Sequence, residues 1–133
     1  MNKSRTISTG HCDQANEKQS SVILVRDKQL LDKILPSVQK PARYTNHEIN
    51  AIHKDWDITD LKVALVYPET YEIAMSGLSV QILYTLINNI DNTLAERVFA
   101  PWVDMEEKLR ENKLPLFSLE SQKALSEFNV IFF

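Results

Sequence analysis

Apolar and polar positions follow no period over the first 21 residues, where Ser, Thr, Asn, Gln and Lys surround a lone aliphatic Ile7. Such a stretch buries too little surface to offset its ordering entropy, so residues 1–21 are expected to form a disordered polar tail. Val22 to Val25 is an apolar run too short to classify. Asp27 can cap a helix whose Leu30, Leu31, Ile34 and Leu35 share one face. Pro36 ends it, because proline lacks an N–H and disfavours helix at the residue before it. Residues 36–59 keep no period, so 22–59 reads as a helix followed by an irregular arm.

From Asp60 the pattern becomes regular. Leu61 to Tyr67 predicts a strand ending at Pro68, and its near-continuous apolar character suits cover on both faces, as in a parallel sheet. A long helix is predicted next, with Met75, Leu78, Ile82, Leu86 and Ile90 as its stripe, widened by Val80, Leu83 and Ile87. Asn88, Asn89, Asp91 and Asn92 end it. Ala95 to Ala100 predicts a second strand closed by Pro101, and Asp104 to Asn112 a short amphipathic helix with an acidic start. One more short helix is expected over Ser121–Phe128, before a third strand begins at Val130–Phe133. Strands alternating with helices imply right-handed crossovers and a parallel sheet. Residues 60–133 are therefore expected to be α/β, an incomplete Rossmann-like parallel sheet with flanking helices. A third strand beside the first would leave an exposed apolar edge, on which native domains rarely end. That reads as the N-terminal piece of something longer.

Composition narrows the function classes. At 133 residues, 44% hydrophobic and 25% charged, the chain suits one globular domain. A net charge of −3 argues against the basic footprint of a nucleic-acid binder. No apolar run approaches the roughly 20 residues of a membrane span, and the polar N-terminus lacks a signal-peptide core. The single cysteine forbids an intrachain disulfide and suits a reducing, cytoplasmic setting. Two glycines, where average usage of about 7% would give roughly nine, exclude a Gly-rich phosphate loop.

Candidate chemistry is sparse. His11, Cys12 and Asp13 are adjacent ligand types in a polar tail with no second pair at finger spacing, and read as solvated. His47, Glu48 and His53 lack the i, i+4 spacing of a helical zinc site and read as polar surface. Ligands of open α/β sheets bind beyond the carboxyl ends of the strands, which directs attention to Pro68–Ser76. There Glu69 and Glu72 flank Tyr71. Glu72 could equally favour a helix start, and Ser76 could equally cap one. Arg97 and Trp102 close the second strand. An arginine among aromatics can hold an anionic or planar ligand, but the plainer expectation is core Val98 and Phe99 with Arg97 on the surface. Cys12 has no assignable base, and no catalytic or metal-ligating residue is assigned.

Four separated runs carry a resemblance: KPARY at 40–44, PETYEIAMS at 68–76, ERVFAPWVDME at 96–106 and PLFSLES at 115–121. Over about residues 36–133 the chain resembles the start of cobalamin (B12)-binding-domain radical S-adenosylmethionine (SAM) proteins. The resemblance implies a Rossmann-like module similar to cobalamin-binding domains. It also implies a following partial barrel, whose [4Fe–4S] cluster binds S-adenosylmethionine and cleaves it to a 5′-deoxyadenosyl radical. Departures are specific. Glycine is expected at Asn46, Ala74, Ser79 and Phe132, His at Gly77 and Asp at Asn129. The C-x3-C-x2-C cluster pattern and the Asp-x-His-x-x-Gly cobalamin pattern are both absent. Cobalamin is thus implied by the resemblance alone, with Pro68, Glu69, Tyr71, Ser76, Arg97 and Trp102 as the contact candidates. The expectation is an N-terminal cobalamin-binding-type module without its own radical chemistry. Its partner would be the C-terminal radical SAM domain or a homologous chain. The alternative is a non-catalytic interaction module, or a degenerate remnant, that docks on a separate catalytic chain. A free-standing flavodoxin-like binder is disfavoured by the incomplete sheet and the few glycines.

Overall fold

The computed structural model describes residues 27–133, so the expected tail 1–21, its His11–Asp13 group and the 22–25 run lie outside the described residues. Helix α1 covers 27–34 and passes at Pro36 into a 3-10 turn, Leu35–Ser37. A second 3-10 turn, Pro41–Tyr44, opens the arm. The regular part follows as β1 (Leu61–Tyr67), α2 (Tyr71–Ser76), α3 (Leu78–Asn88), β2 (Thr93–Phe99), α4 (Val103–Asn112), a 3-10 turn (Leu125–Glu127) and β3 (Val130–Phe132). The three strands form one parallel sheet in the order β2-β1-β3. The α/β parallel architecture read from the sequence is present. No helix among the described residues is long and apolar enough to cross a membrane.

Period-2 alternation divides the sheet. Val63, Leu65 and Ala95 face α3, where they meet Tyr84 with Leu83, Ile87 and Ile52. Ala64 and Val98 face the opposite side, beneath Phe128, Trp56, Leu116 and Leu125. A third cluster joins Leu31 and Ile34 of α1 to Val38, Tyr44, and Met105 and Leu109 of α4.

Three expectations need correction. The long helix divides at Gly77, where φ −82° and ψ 123° take the chain out of helix between α2 and α3. Its expected core stripe also faces outward. Leu78, Ile82, Leu86 and Ile90 are 47–73% exposed, whereas Val80 and Tyr84 are buried. The helix has apolar residues on several sides, so periodicity alone does not say which side the sheet takes. Tyr84 decides it, because its ring is buried at the sheet while its hydroxyl accepts from Ile52 N at 2.7 Å. Finally, Ser121–Phe128 is not a continuous helix. Gln122 turns at φ 57°, Phe117 bridges Ala124, and only Leu125–Glu127 coils.

The outer edge of β2 is closed. The Asn88 amide donates to Ala95 O and accepts from Ala95 N, both at 3.0 Å, so it imitates a neighbouring strand. Glu120 accepts from Arg97 N at 2.8 Å and Leu119 N donates to Arg97 O at 2.8 Å. Lys54, from the arm, donates to Thr93 O and to the α3 terminus at Asn88 O. Capping of this kind prevents an edge from pairing with another chain.

Candidate functional site at the carboxyl ends of the strands

The four resembling runs converge at one end of the sheet. Beyond β1, Ala100 N donates to Glu69 O at 3.0 Å and ties the β1 and β2 loops together. Tyr71 begins α2, with its ring edge-on to Phe99 (centroids 5.9 Å apart) and its hydroxyl donating to Glu48 at 2.8 Å. The other Glu48 oxygen accepts from Arg97 Nη1 at 2.7 Å. Arg97 Nε donates to Glu120 at 2.6 Å. The guanidinium carbon lies 4.4 Å from the Tyr84 ring centroid, and Nη1 is 3.3 Å from Met75 Sδ.

Arg97 therefore does not lie on the surface, as the plainer sequence reading had it. Its side chain is 2% exposed. The register Leu65↔Arg97 points it to the α3 face, and two glutamates from distant segments make that burial tolerable. Its Nη2 and the Asn46 Oδ1 are buried atoms without a partner among the described residues.

Electrostatics follow from one cation shared by several carboxylates. Burial pushes the Glu120 carboxyl above its ordinary range; Arg97 opposes this and Glu96 adds to it. Burial lowers the Arg97 guanidinium, but its pairing with Glu120 and Glu48 outweighs this and keeps it charged. The Tyr71 hydroxyl is pushed up to about 12 by burial and by its bond to Glu48. Burial likewise raises Tyr84.

A more exposed layer lies outside this hub. Arg43 and Lys40 both bond Glu72, at 2.7 and 3.3 Å, and Arg43 sits 5.0 Å over the Trp102 ring. The Arg43 bond holds the Glu72 carboxyl below the usual range. Tyr44 accepts from Trp102 N at 3.0 Å, fixing the start of α4.

Of the six candidates, the structure joins Tyr71 and Arg97 through Glu48. It places Trp102 beside them through Arg43 and Tyr44. Pro68 and Glu69 belong to the connecting loop, and Ser76 is apart, with its hydroxyl on Ile73 O at 2.7 Å. Glu48, Glu120, Met75 and Tyr84 were not candidates, yet they complete the hub, and Arg43, also not a candidate, belongs to the outer layer. Glu120 lies within PLFSLES and Arg43 within KPARY, so the four runs themselves were the signal. Glu48 was read as surface, but it is half-buried against Arg97. His47 bonds Thr45 instead of joining it. Asn46, where glycine was expected, takes φ 48°, a left-handed conformation that asparagine tolerates.

A separate cleft of about 220 Å³ opens between α3 and β3, lined by Leu65, Tyr67, Ser79, Val80, Leu83 and Phe132 among others. It lies below the roughly 300–1,000 Å³ of small-molecule sites. Its lining holds no imidazole, so this cleft does not fit a corrinoid held by a histidine. No group of three or more His, Cys, Asp or Glu side chains among the described residues could hold a metal ion. A [4Fe–4S] cluster needs more thiolates than this sequence's single cysteine can give.

The family model for radical SAM proteins, N-terminal, matches residues 79–133, the span from the first turn of α3 through β2 and α4 to β3. No curated protein and no solved structure matches the chain.

Proposed function

We propose that this chain serves as the N-terminal, cobalamin-binding-type module of a radical SAM protein, with the radical chemistry carried on residues outside it. The match of residues 79–133 to the N-terminal part of radical SAM proteins carries this reading. It falls on α3, β2, α4 and β3, which flank the central strand β1 of the parallel sheet. The Arg97 hub has a mechanical role in it. One guanidinium locks the arm (Glu48), α2 (Met75), α3 (Tyr84) and the 118–122 turn (Glu120) around the carboxyl ends of the strands. Its charges are occupied with one another, which suits a rigid rim better than a reacting group.

Titration with hydroxocobalamin, followed by the corrinoid spectrum, tests the ligand. A saturable shift at micromolar concentration would support cobalamin binding by this chain. No shift at high micromolar ligand would remove cobalamin from this chain. It would leave the second reading, a non-catalytic module docking on a catalytic chain, which the uncovered apolar side of α3 and β3 favours.

A further inference from the structure

The two carboxylates on Arg97 are held in different ways. Glu120 is built in. Its side chain is 1% exposed, one oxygen accepts from Arg97 Nε at 2.6 Å and the other from Arg97 N at 2.8 Å. Glu48 comes from the arm, where residues 45–60 form neither helix nor strand. His47, Ile49 and Asn50 beside it are exposed. Two bonds hold the stretch that follows it. Ala51 N donates to Glu48 O at 3.2 Å, and Ile52 N to the Tyr84 hydroxyl at 2.7 Å. The Glu48 carboxylate is thus a charged group on an irregular segment, set among donors that belong to β2 and α2.

Those donors lie at the carboxyl ends of the strands, where open α/β sheets take their ligands. The Tyr71 hydroxyl donates to one Glu48 oxygen at 2.8 Å and Arg97 Nη1 to the other at 2.7 Å. One planar carboxylate satisfies both. Arg97 Nη2 is buried and has no acceptor among the described residues. The arm fixes where the Glu48 carboxylate lies. An untethered carboxylate can turn to meet Nη1 and Nη2 together, the forked pairing that guanidinium groups favour. Charge narrows the class. With Glu48 withdrawn, Arg97 and Glu120 balance, and one negative charge restores the present sum. A phosphate dianion would set a second charge beside the buried Glu120, which costs more.

We infer that Tyr71 and Arg97 form a binding site for a small monocarboxylate, which Glu48 fills as an internal ligand. The incoming carboxylate takes the place of Glu48 and frees the arm around it. Tyr71 is half-buried and lines a surface cleft with Arg43, Thr70 and Trp102, so the ligand enters from that side. The exchange is non-covalent, and it goes beyond the cobalamin reading without resting on it.

Acetate is the probe, because Glu48→Ala removes Cγ and the carboxylate, the heavy atoms of acetate. Melting temperatures of the full chain, Glu48→Ala and Glu48→Gln are compared in about 100 mM acetate and in chloride at the same concentration. Both variants lack the charge, but the glutamine amide still fills the site. Acetate should raise the melting temperature of Glu48→Ala by about 5 °C beyond its effect on Glu48→Gln, as for a site filled at about ten times its dissociation constant. Tyr71→Phe in the Glu48→Ala background removes one donor and should weaken acetate binding by at least about threefold. An equal rise in both variants, the general effect of an excluded salt, would overturn the inference. So would a response untouched by Tyr71→Phe. Amide exchange of the unaltered chain reads the displacement without needing any variant to fold. Acetate, but not chloride or phosphate at equal ionic strength, should speed exchange at Ala51 and Ile52 by at least about threefold, because both amides lie in the freed stretch. Unchanged exchange, or equal acceleration by all three salts, would make Glu48 a permanent brace and overturn the inference. Neither readout involves hydroxocobalamin, so this inference and the cobalamin reading fail separately.

Discussion

At the residue scale, Arg97 bears the largest consequence. Replacing it with methionine keeps most of the volume but strands Glu48 and Glu120 without their cation. Breaking a buried pair costs about 3–5 kcal/mol, so Arg97→Met should lower unfolding stability by that order in a urea titration. An unchanged midpoint would mean that the hub is not buried as described. Glu120 gives a pH test. Its folded value is raised by burial above the ordinary carboxyl value of the unfolded chain. The folded state then binds the extra proton. Its stabilising contribution is present below the unfolded value and is lost as pH rises through the folded one. Glu120→Gln should flatten stability against pH over that window, read from melts at stepped pH. A slope unchanged by the substitution would sink this assignment. Arg97 and Glu120 lie within the resembling runs, but their pairing was not visible in the chain. An arginine followed by Val98 and Phe99 looks like a surface residue until glutamates 49 positions before it and 23 after it are brought within hydrogen-bond distance.

At the element scale, strands and crossovers follow from local pattern, while helix faces do not. Leu61–Tyr67 reads as a strand because its apolar run is short and bounded by Pro68, and it is one. α3 offers apolar residues on several sides, and only contact with the sheet separates Val80 and Tyr84 from Leu78 and Ile82. Asn88 teaches the same lesson. Its place among Asn88, Asn89 and Asn92 marks a helix end, but its amide also closes the edge of β2. Asn88→Ala leaves the Ala95 N–H and C=O without partners, at about 1–3 kcal/mol for each buried group. Chemical denaturation should show a loss of that size. Gly77 is more forgiving. Its φ is negative, and an added Cβ would meet Ala74 O at 3.3 Å. Gly77→Ala should change stability by no more than about 1 kcal/mol, because lost chain entropy in the unfolded state offsets the tight contact.

At the scale of the molecule, the asymmetry of the sheet governs behaviour in solution. One edge is sealed by side chains, and the other presents Val130, Ile131 and Phe132 to solvent. Exposed apolar edges pair with other chains, so warming concentrated protein should raise light scattering. Ile131→Lys should suppress it, since a charge on an edge strand blocks pairing without removing a buried contact. Equal scattering from the variant would locate the aggregation elsewhere. The same asymmetry separates two roles along the chain. The motif-bearing arm and loops lock the carboxyl end of the sheet, and the side of α3 and β3 without charged residues is exposed.

The sequence by itself determined the class of fold, the positions of the strands, the helix break at Pro36 and the irregular arm, because each depends on short-range pattern and on proline and asparagine chemistry. It also determined that one cysteine cannot hold an iron–sulfur cluster, which is a matter of counting ligands. Only the tertiary structure decided that Arg97 is an internal hub, that α3 turns its Leu78–Leu86 side outward, and that side chains from distant segments close the β2 edge. Each of those depends on groups far apart in the chain meeting within a few ångströms, and no local period encodes such a meeting.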